Sequence, residues 1–302
     1  MISYSVLTFN NQVGIVTDAV LLTDLLRENI TTNVDIKFIH ECDIKHVDVG
    51  IWIQNFDVNL LNLFKKNIFY INEEWAGECE LSNLHLFDHV ICKSTYAYNL
   101  LKQNKNVIYL PFISKDMYVN SLNKEYDYLH FMGRSIQKNT ELILKQNVNI
   151  TLIDPYNRYT PQSNINHINS YQSNEQLKRI LNIHRTHICC SLYESWGHYL
   201  FEGLSTGSEM ICSDIPIFRE QLDPDLIHFI PTQEKIDMSY MYCSDNKTNI
   251  YKLRKSFFID EKYFTQYIEN FRPIGKNYER RMLYNNIINK SKTQLISFFK
   301  NI

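Results

Sequence analysis

The chain has 302 residues, 44% hydrophobic and 21% charged, with a formal net charge of −2. Such a chain fills two domains of roughly 150 residues each, or one large α/β unit, and global disorder is excluded. With 31 Lys and Arg against 33 Asp and Glu, no global field draws the protein onto DNA or RNA, so nucleic acid is not an expected partner. The 20 Tyr and 17 Phe, and an excess of Asn, read as codon drift in an AT-rich genome before they read as chemistry. No run of about 18 to 20 apolar residues is present, which argues against a transmembrane helix. The start, MISYSVLTFNNQ, lacks a basic n-region and a cleavage site, so it does not read as a signal peptide. Cys42, Cys79, Cys92, Cys189, Cys190, Cys212 and Cys243 are scattered without a C-x-x-C pair. Reduced thiols and a cytoplasmic location are expected, rather than a zinc module.

In chain order, Ile2–Phe9 is predicted as a strand and Thr17–Glu28 as a helix capped by Thr17 or Asp18. Strands are predicted at Val34–Ile39, Val47–Ile53, Asn67–Ile71 and His89–Cys92, then a helix at Thr95–Gln103 and a strand at Val107–Pro111. Continuous apolar runs separated by helices indicate a parallel sheet covered on both faces. The polar stretch Ser114–Tyr126 interrupts the pattern, and the alternation then restarts. Strands are expected at Tyr128–Met132, Ile150–Ile153, His187–Ser191 and Met210–Ser213, with helices at Thr140–Gln146, Ser173–Ile183 and Tyr199–Thr206. The expected fold is therefore α/β, with two doubly wound, Rossmann-like domains facing across a cleft. The divisions are an N-terminal domain over 1–113, a linker over 114–126, a C-terminal domain over 127–270, and a helical segment over 271–302 that packs back on the first domain. That last segment carries Arg272, Lys276, Arg280, Arg281, Lys290, Lys292 and Lys300 against Glu279 alone. It reads first as a closing helix with a solvated basic face, and second as a peripheral contact with a membrane surface.

The segment richest in chemistry runs from Ser191 to Gly207. A strand ends at Ser191, a turn containing Gly197 follows, and a helix starts near His198. A helix N-terminus at the carboxyl end of a parallel strand offers N–H groups and a positive dipole end to an anion. Glu194 in the turn and Glu202 inside the helix are wrong for phosphate but suited to hydroxyls, so a sugar and a ribose are natural partners.

Glu194 and Glu202, separated by seven residues, resemble the E-x7-E signature of the retaining group 1 glycosyltransferases of GT-B fold. The similarity continues through Gly207 and Met210–Pro216 to Glu220. Upstream, Gly133-Arg134 with Lys138 resembles that family's G-R-x3-K element. A planar Arg fork and a Lys point charge both suit phosphate oxygens. The resemblance implies that Arg134 and Lys138 hold the donor diphosphate and act with Glu194 in catalysis. It also implies a donor site formed by these three with Ser195, Trp196, Gly197, His198 and Glu202, in which Glu202 binds ribose and Glu194 the transferred sugar. The family's usual G-F-G is Ser195-Trp196-Gly197 here, and Tyr199 stands where a Pro is common.

In the first domain, Gly14 follows the first strand where the family has a glycine loop. Asn72-Glu73-Glu74-Trp75 resembles an N-x-E-W stretch of related transferases, which places Gly14, Asn72, Glu73 and Glu74 on the acceptor side. His85 and His89 have the spacing of a metal pair but no third ligand, and Asp223-Pro-Asp225 reads as a proline turn, so no metal site is expected. The implied activity is retaining, metal-independent transfer of a hexose from a nucleotide-diphosphate sugar, UDP- or GDP-linked first, to a saccharide or other hydroxyl acceptor, with no separate cofactor. The alternatives are glycosylation of a modified nucleic-acid base, a sugar-nucleotide epimerase, and a non-catalytic sugar-nucleotide-binding subunit.

Overall fold

A computed structural model describes residues 2–9, 14–40, 47–120, 122–133, 136–160, 163–235 and 255–302. The chain divides into two compact units, and each contains one parallel sheet of six strands.

The first unit comprises the described residues within 1–113 and 288–302. Its sheet is built from β1 (Tyr4–Thr8), β2 (Val34–Phe38), β3 (Val47–Ile53), β4 (Phe64–Ile71), β5 (His89–Cys92) and β6 (Val107–Tyr109), in the order β2-β1-β3-β4-β5-β6. The order reverses between β1 and β3, which makes their carboxyl ends the crevice of this unit. Between the strands run α1 (Gly14–Asn29), α2 (Glu78–Ser82) and α3 (Thr95–Leu101). On one face of the sheet Leu7, Trp52, Phe69 and Val90 pack with Phe87 in one core cluster, and Val6, Ile51, Ile68 and Ile91 are buried on the other face. Even Trp52 is fully buried there, its indole N–H satisfied by Asn67 Oδ1 at 2.9 Å.

Helix α1 begins three residues before the predicted start, and Asp18 is not its cap. Asp18 lies inside the helix and meets Lys93 Nζ at 2.5 Å, both side chains almost wholly buried, with Lys93 also 4.7 Å from the Phe112 ring centroid. Burial, aided by the Asp18 charge, holds the neighbouring Tyr70 phenol well above its ordinary range. His85 and His89 do not share a helix: His85 sits in a short 3-10 turn, whereas His89 opens β5.

The second unit comprises the described residues within 114–235 and 255–287. Its strands are β7 (Tyr126–Phe131), β8 (Ile150–Ile153), β9 (Ile165–Ile168), β10 (His184–Cys189), β11 (Glu209–Ser213) and β12 (His228–Ile230), in the order β12-β11-β10-β7-β8-β9. This is the dinucleotide-fold order, and its reversal lies between β7 and β10. The helices are α4 (Thr140–Leu144), α5 (Asn174–Ile183), α6 (His198–Ser205), α7 (Pro216–Gln221) and α8 (Glu261–Glu269). An antiparallel pair, β13 (Thr232–Lys235) and β14 (Ser256–Ile259), completes the unit. Local signals start these helices: Ser173 and Gln176 form a capping box at α5, Pro216 opens α7, and Asp260 caps α8.

Segment 114–126, expected as a linker, belongs to the second unit. Met117 is buried, its N–H bonded to Ser205 Oγ and its carbonyl to Asn182 Nδ2. The last helix, α9 (Asn277–Lys300), starts in the second unit, and from Ile288 onward it belongs to the first. There the Tyr4 hydroxyl donates to the Phe299 carbonyl at 3.3 Å, and Lys66 Nζ to the Ile302 carbonyl at 2.7 Å. Two of its cations are engaged by carboxylates, where the tail reading expected a solvated basic face. Arg280 is fully buried on Glu209 Oε1 (2.8 Å), and Arg281 pairs with Asp116 (2.5 Å). No helix is long and apolar enough to cross a membrane among the described residues, and Cys79, Cys92, Cys189, Cys190 and Cys212 are free thiols.

Removing one partner of a buried pair strands the other charge. Lys93→Met is therefore expected to destabilise the first unit by about 3–5 kcal/mol in urea unfolding, and Asp18→Leu/Lys93→Met to regain most of that loss. A single-variant loss within the range of surface substitutions, about ±0.5 kcal/mol, would contradict this reading.

Candidate functional site

The crevice of the second unit is set by topology. β7 and β10 are neighbours at the reversal, with His187 opposite Leu129 and Ile188 opposite His130. The chain leaving β7 carries Gly133 and then Lys138 in a 3-10 turn, while the chain leaving β10 carries Ser191, Glu194 and Gly197. A backbone bond from Leu192 N to Gln137 O (2.8 Å) ties the two loops together. Across that tie Lys138 Nζ donates to Glu194 Oε1, and Ser191 Oγ donates to the same oxygen at 2.8 Å. The Glu194 side chain is 7% exposed and that of Lys138 18%, so this ion pair is partly withdrawn from water at the mouth of the crevice.

Gly197 ends the β10 loop and serves as N-cap of α6 with φ +90° and ψ +60°. A side chain is excluded there twice over. The left-handed backbone disfavours one, and a Cβ would stand 2.7 Å from the Phe218 ring. A glycine cap has no side chain to satisfy the first N–H groups of the helix, and no side-chain bond caps α6. Gly133, after β7, is also left-handed, and its carbonyl accepts from Arg158 at 2.6 Å.

The remaining donor-side candidates divide by environment. Ser195 and Trp196 are both buried. The Trp196 ring stacks on Phe201 at 4.5 Å, and its indole N–H donates to Ser114 Oγ at 2.9 Å, so the side chain secures the turn. His198 is half-buried, with Nδ1 3.0 Å from the same Ser114 Oγ. Glu202 lies one turn further along α6, and burial raises its carboxyl above the ordinary glutamate range against the opposing charges of His198, Lys115 and Lys138. Arg134 lies outside the described residues.

Three residues that sequence reasoning passed over complete the site. Ser191 shares Glu194 with Lys138, as above. Asp154, fully buried just after β8, accepts from the N–H groups of Tyr156 (3.3 Å), Arg158 (2.6 Å) and Tyr159 (3.1 Å) and shapes the loop that reaches Gly133. His130, at the end of β7, bonds Ile188 O and Thr140 Oγ1, and burial lowers its ring to about 4, so it is a neutral strut. The Ser-x-x-Glu spacing of Ser191 and Glu194 was a visible signal, whereas Asp154 had none.

In the first unit, Asn72, Glu73 and Glu74 follow β4 and are all buried. Asn72 Nδ2 donates to Gln54 Oε1 at 3.0 Å, its Oδ1 has no hydrogen-bond partner, and Gln54 itself takes φ +65° at the end of β3. Gly14 is the first residue of α1, where a Cβ would meet nothing. Asp223 Oδ1 accepts from Asp225 N at 2.9 Å, the turn expected of that Asp-Pro-Asp. Among the described residues no three His, Cys, Asp or Glu side chains gather in the manner of a metal site.

Fold and site together define a class: doubly wound α/β proteins with a lysine, a carboxylate and a helix N-terminus at the reversal of the second sheet. No protein-family model and no curated protein matches the sequence. Solved structures do match. Sucrose-phosphate synthase from Thermosynechococcus elongatus superposes with a TM-score of 0.68 at 12% identity, over 100% of this chain and 99% of that one. HepE of Anabaena, solved in complex with UDP-glucose, gives 0.69 at 8% identity over 100% of both chains. A glycosyltransferase from Rickettsia africae ESF-5 gives 0.68 at 9% identity, over 99% and 98%. At such identities the likeness is one of fold, and the fold is GT-B.

Gly197→Ala is expected to lower stability by about 1–3 kcal/mol, from the strained backbone and the displaced Phe218, and to perturb this loop. Thermal unfolding and crystallography of the variant check it. An unchanged melting temperature with Phe218 in place would contradict it.

Proposed function

We propose that the protein is a glycosyltransferase that moves a sugar from a nucleotide-diphosphate sugar to a hydroxyl acceptor with retention at the anomeric carbon. The observation that carries this reading is the convergence of Lys138 and Ser191 on one carboxylate oxygen of Glu194, beside the start of α6, which no side chain caps. Such a place offers positive charge for a diphosphate and a carboxylate for sugar hydroxyls, side by side.

In the proposed reaction the acceptor oxygen attacks the anomeric carbon on the face from which the diphosphate leaves. The sugar–phosphate C–O bond breaks, and the acceptor's proton passes to a phosphate oxygen of the departing nucleoside diphosphate. Charge grows on that phosphate, and Lys138, Arg134 and the α6 N–H groups would stabilise it there. Arg134 is assigned from its place in the G-R-x3-K element. Glu194 orients the sugar and Glu202 the ribose. No protein base is required, and cationic side chains with a helix end take the part of a metal, so the proposed activity is metal-independent and needs no cofactor. UDP is the first nucleotide to test, since HepE was solved with UDP-glucose, and GDP is the second. Gly14, Asn72, Glu73 and Glu74 are proposed for the acceptor, a saccharide or another hydroxyl compound, with the open Asn72 Oδ1 suited to receive a hydroxyl hydrogen.

A screen of UDP-, GDP-, ADP- and CMP-sugars by thermal shift identifies the donor, because a ligand of the folded state raises its melting temperature. With that donor, Lys138→Ala and Arg134→Ala are each expected to reduce transfer by about 10²–10³-fold in the presence of EDTA, with retained anomeric configuration in the wild-type product. Wild-type turnover by either variant would overturn the assignment.

A further inference from the structure

Ser114 lies on no strand or helix, yet three polar groups converge on it. Its Oγ is 2.9 Å from Trp196 Nε1 and 3.0 Å from His198 Nδ1, and its carbonyl accepts from the Tyr284 hydroxyl at 2.9 Å. An indole N–H can only donate, so Ser114 Oγ accepts from Trp196. The same hydroxyl, which has a hydrogen and a second lone pair to offer, meets His198 Nδ1 in either imidazole tautomer, and the contact fixes the ring. Trp196 and His198 are the two neighbours of Gly197, the residue with the least conformational restraint in the turn. Gly197 cannot cap α6 with a side chain, so the restraint comes from outside the turn, and Ser114 supplies it on both sides.

We infer that Ser114 is the positioning residue of the turn formed by Ser195 to His198: it holds the backbone on either side of Gly197 and sets the ring orientation of His198, so that the α6 N–H groups and His198 Nε2 are presented to the donor diphosphate. This inference rests on the glycosyltransferase reading. Ser114 need not touch the ligand. It acts through Trp196 and His198, and its loss reaches the ligand because displacement of such a turn by about 1 Å costs up to 10²-fold in rate.

The test measures affinity for UDP and GDP by calorimetry in the wild type, Ser114→Ala, Ser114→Thr, His198→Ala and Ser114→Ala/His198→Ala. The nucleotide that binds the wild type is expected to bind Ser114→Ala about tenfold more weakly, with Ser114→Thr close to wild type. The double variant is expected to fall between His198→Ala alone and the product of the two single effects, because Ser114 acts partly through His198 and residues acting through one another are not additive. Ser114→Cys keeps the volume while weakening both bonds, and it supplies the same readout if the alanine variant does not fold. Unchanged affinity in the Ala and Cys variants, or strict additivity with His198→Ala, overturns the inference while leaving the transferase reading in place. Failure of both nucleotides to bind the wild type removes the transferase reading and the inference with it.

Discussion

The ion pair between Lys138 and Glu194 organises the second unit's crevice. The two residues stand 56 positions apart in the chain and meet only because the sheet reverses between β7 and β10. Each has a reason to be elsewhere. A lysine leaving β7 would be more comfortable in water, and so would a carboxylate leaving β10. The Leu192–Gln137 backbone bond and the Ser191 hydroxyl hold them together. In this state the carboxylate occupies the lysine, and an arriving diphosphate would compete with it for the same ammonium.

Behind the pair stands a buried polar framework. Ser213 Oγ bonds Ser191 O at 2.5 Å, the His130 ring bridges Ile188 O to Thr140, and the Asp154 carboxylate gathers the N–H groups of the loop after β8. Burial keeps His130 neutral, and burial together with nearby positive charge holds His187 far below the ordinary imidazole range, so neither is positioned to exchange protons with substrate. Their work is to fix the ends of β7 and β10, which is where precision in the site originates. The other strong buried network, Arg280 with Glu209, His228 and Tyr267, does the same for the start of α9. The arginine and lysine content of the tail therefore overstates its free charge, and a basic surface helix is a poorer description of α9 than a pinned one.

Much of this was legible in the sequence. Apolar runs such as Val47–Ile53 and His89–Cys92 are strands because both faces of a parallel sheet are covered, and that pattern survives any turn chemistry. Glu194 and Gly197 were marked by residue type in the turn after a strand, and Lys138 by the resemblance of Gly133-Arg134 with Lys138 to the G-R-x3-K element. What escaped reading depended on long-range partners. β9 hides in the Asn-rich stretch Asn164–Ser170, where only Ile165 and Ile168 mark an edge strand. Asp18 looked like a cap because a carboxylate near a helix start usually is one, whereas its pairing with Lys93, 75 residues away, goes with a place in the core. Ser114 sat in a polar stretch without period, and its importance lies in contacts with residues more than 80 positions away.

The central claim is that a nucleoside diphosphate binds where the loops of β7 and β10 meet at the start of α6. Hydrogen–deuterium exchange with and without saturating UDP or GDP, whichever binds, tests it most directly. The account predicts slowed exchange confined mainly to the peptides spanning Gly133–Lys138 and Ser191–Glu202. Protection elsewhere in the chain, with those two stretches unchanged, would contradict it.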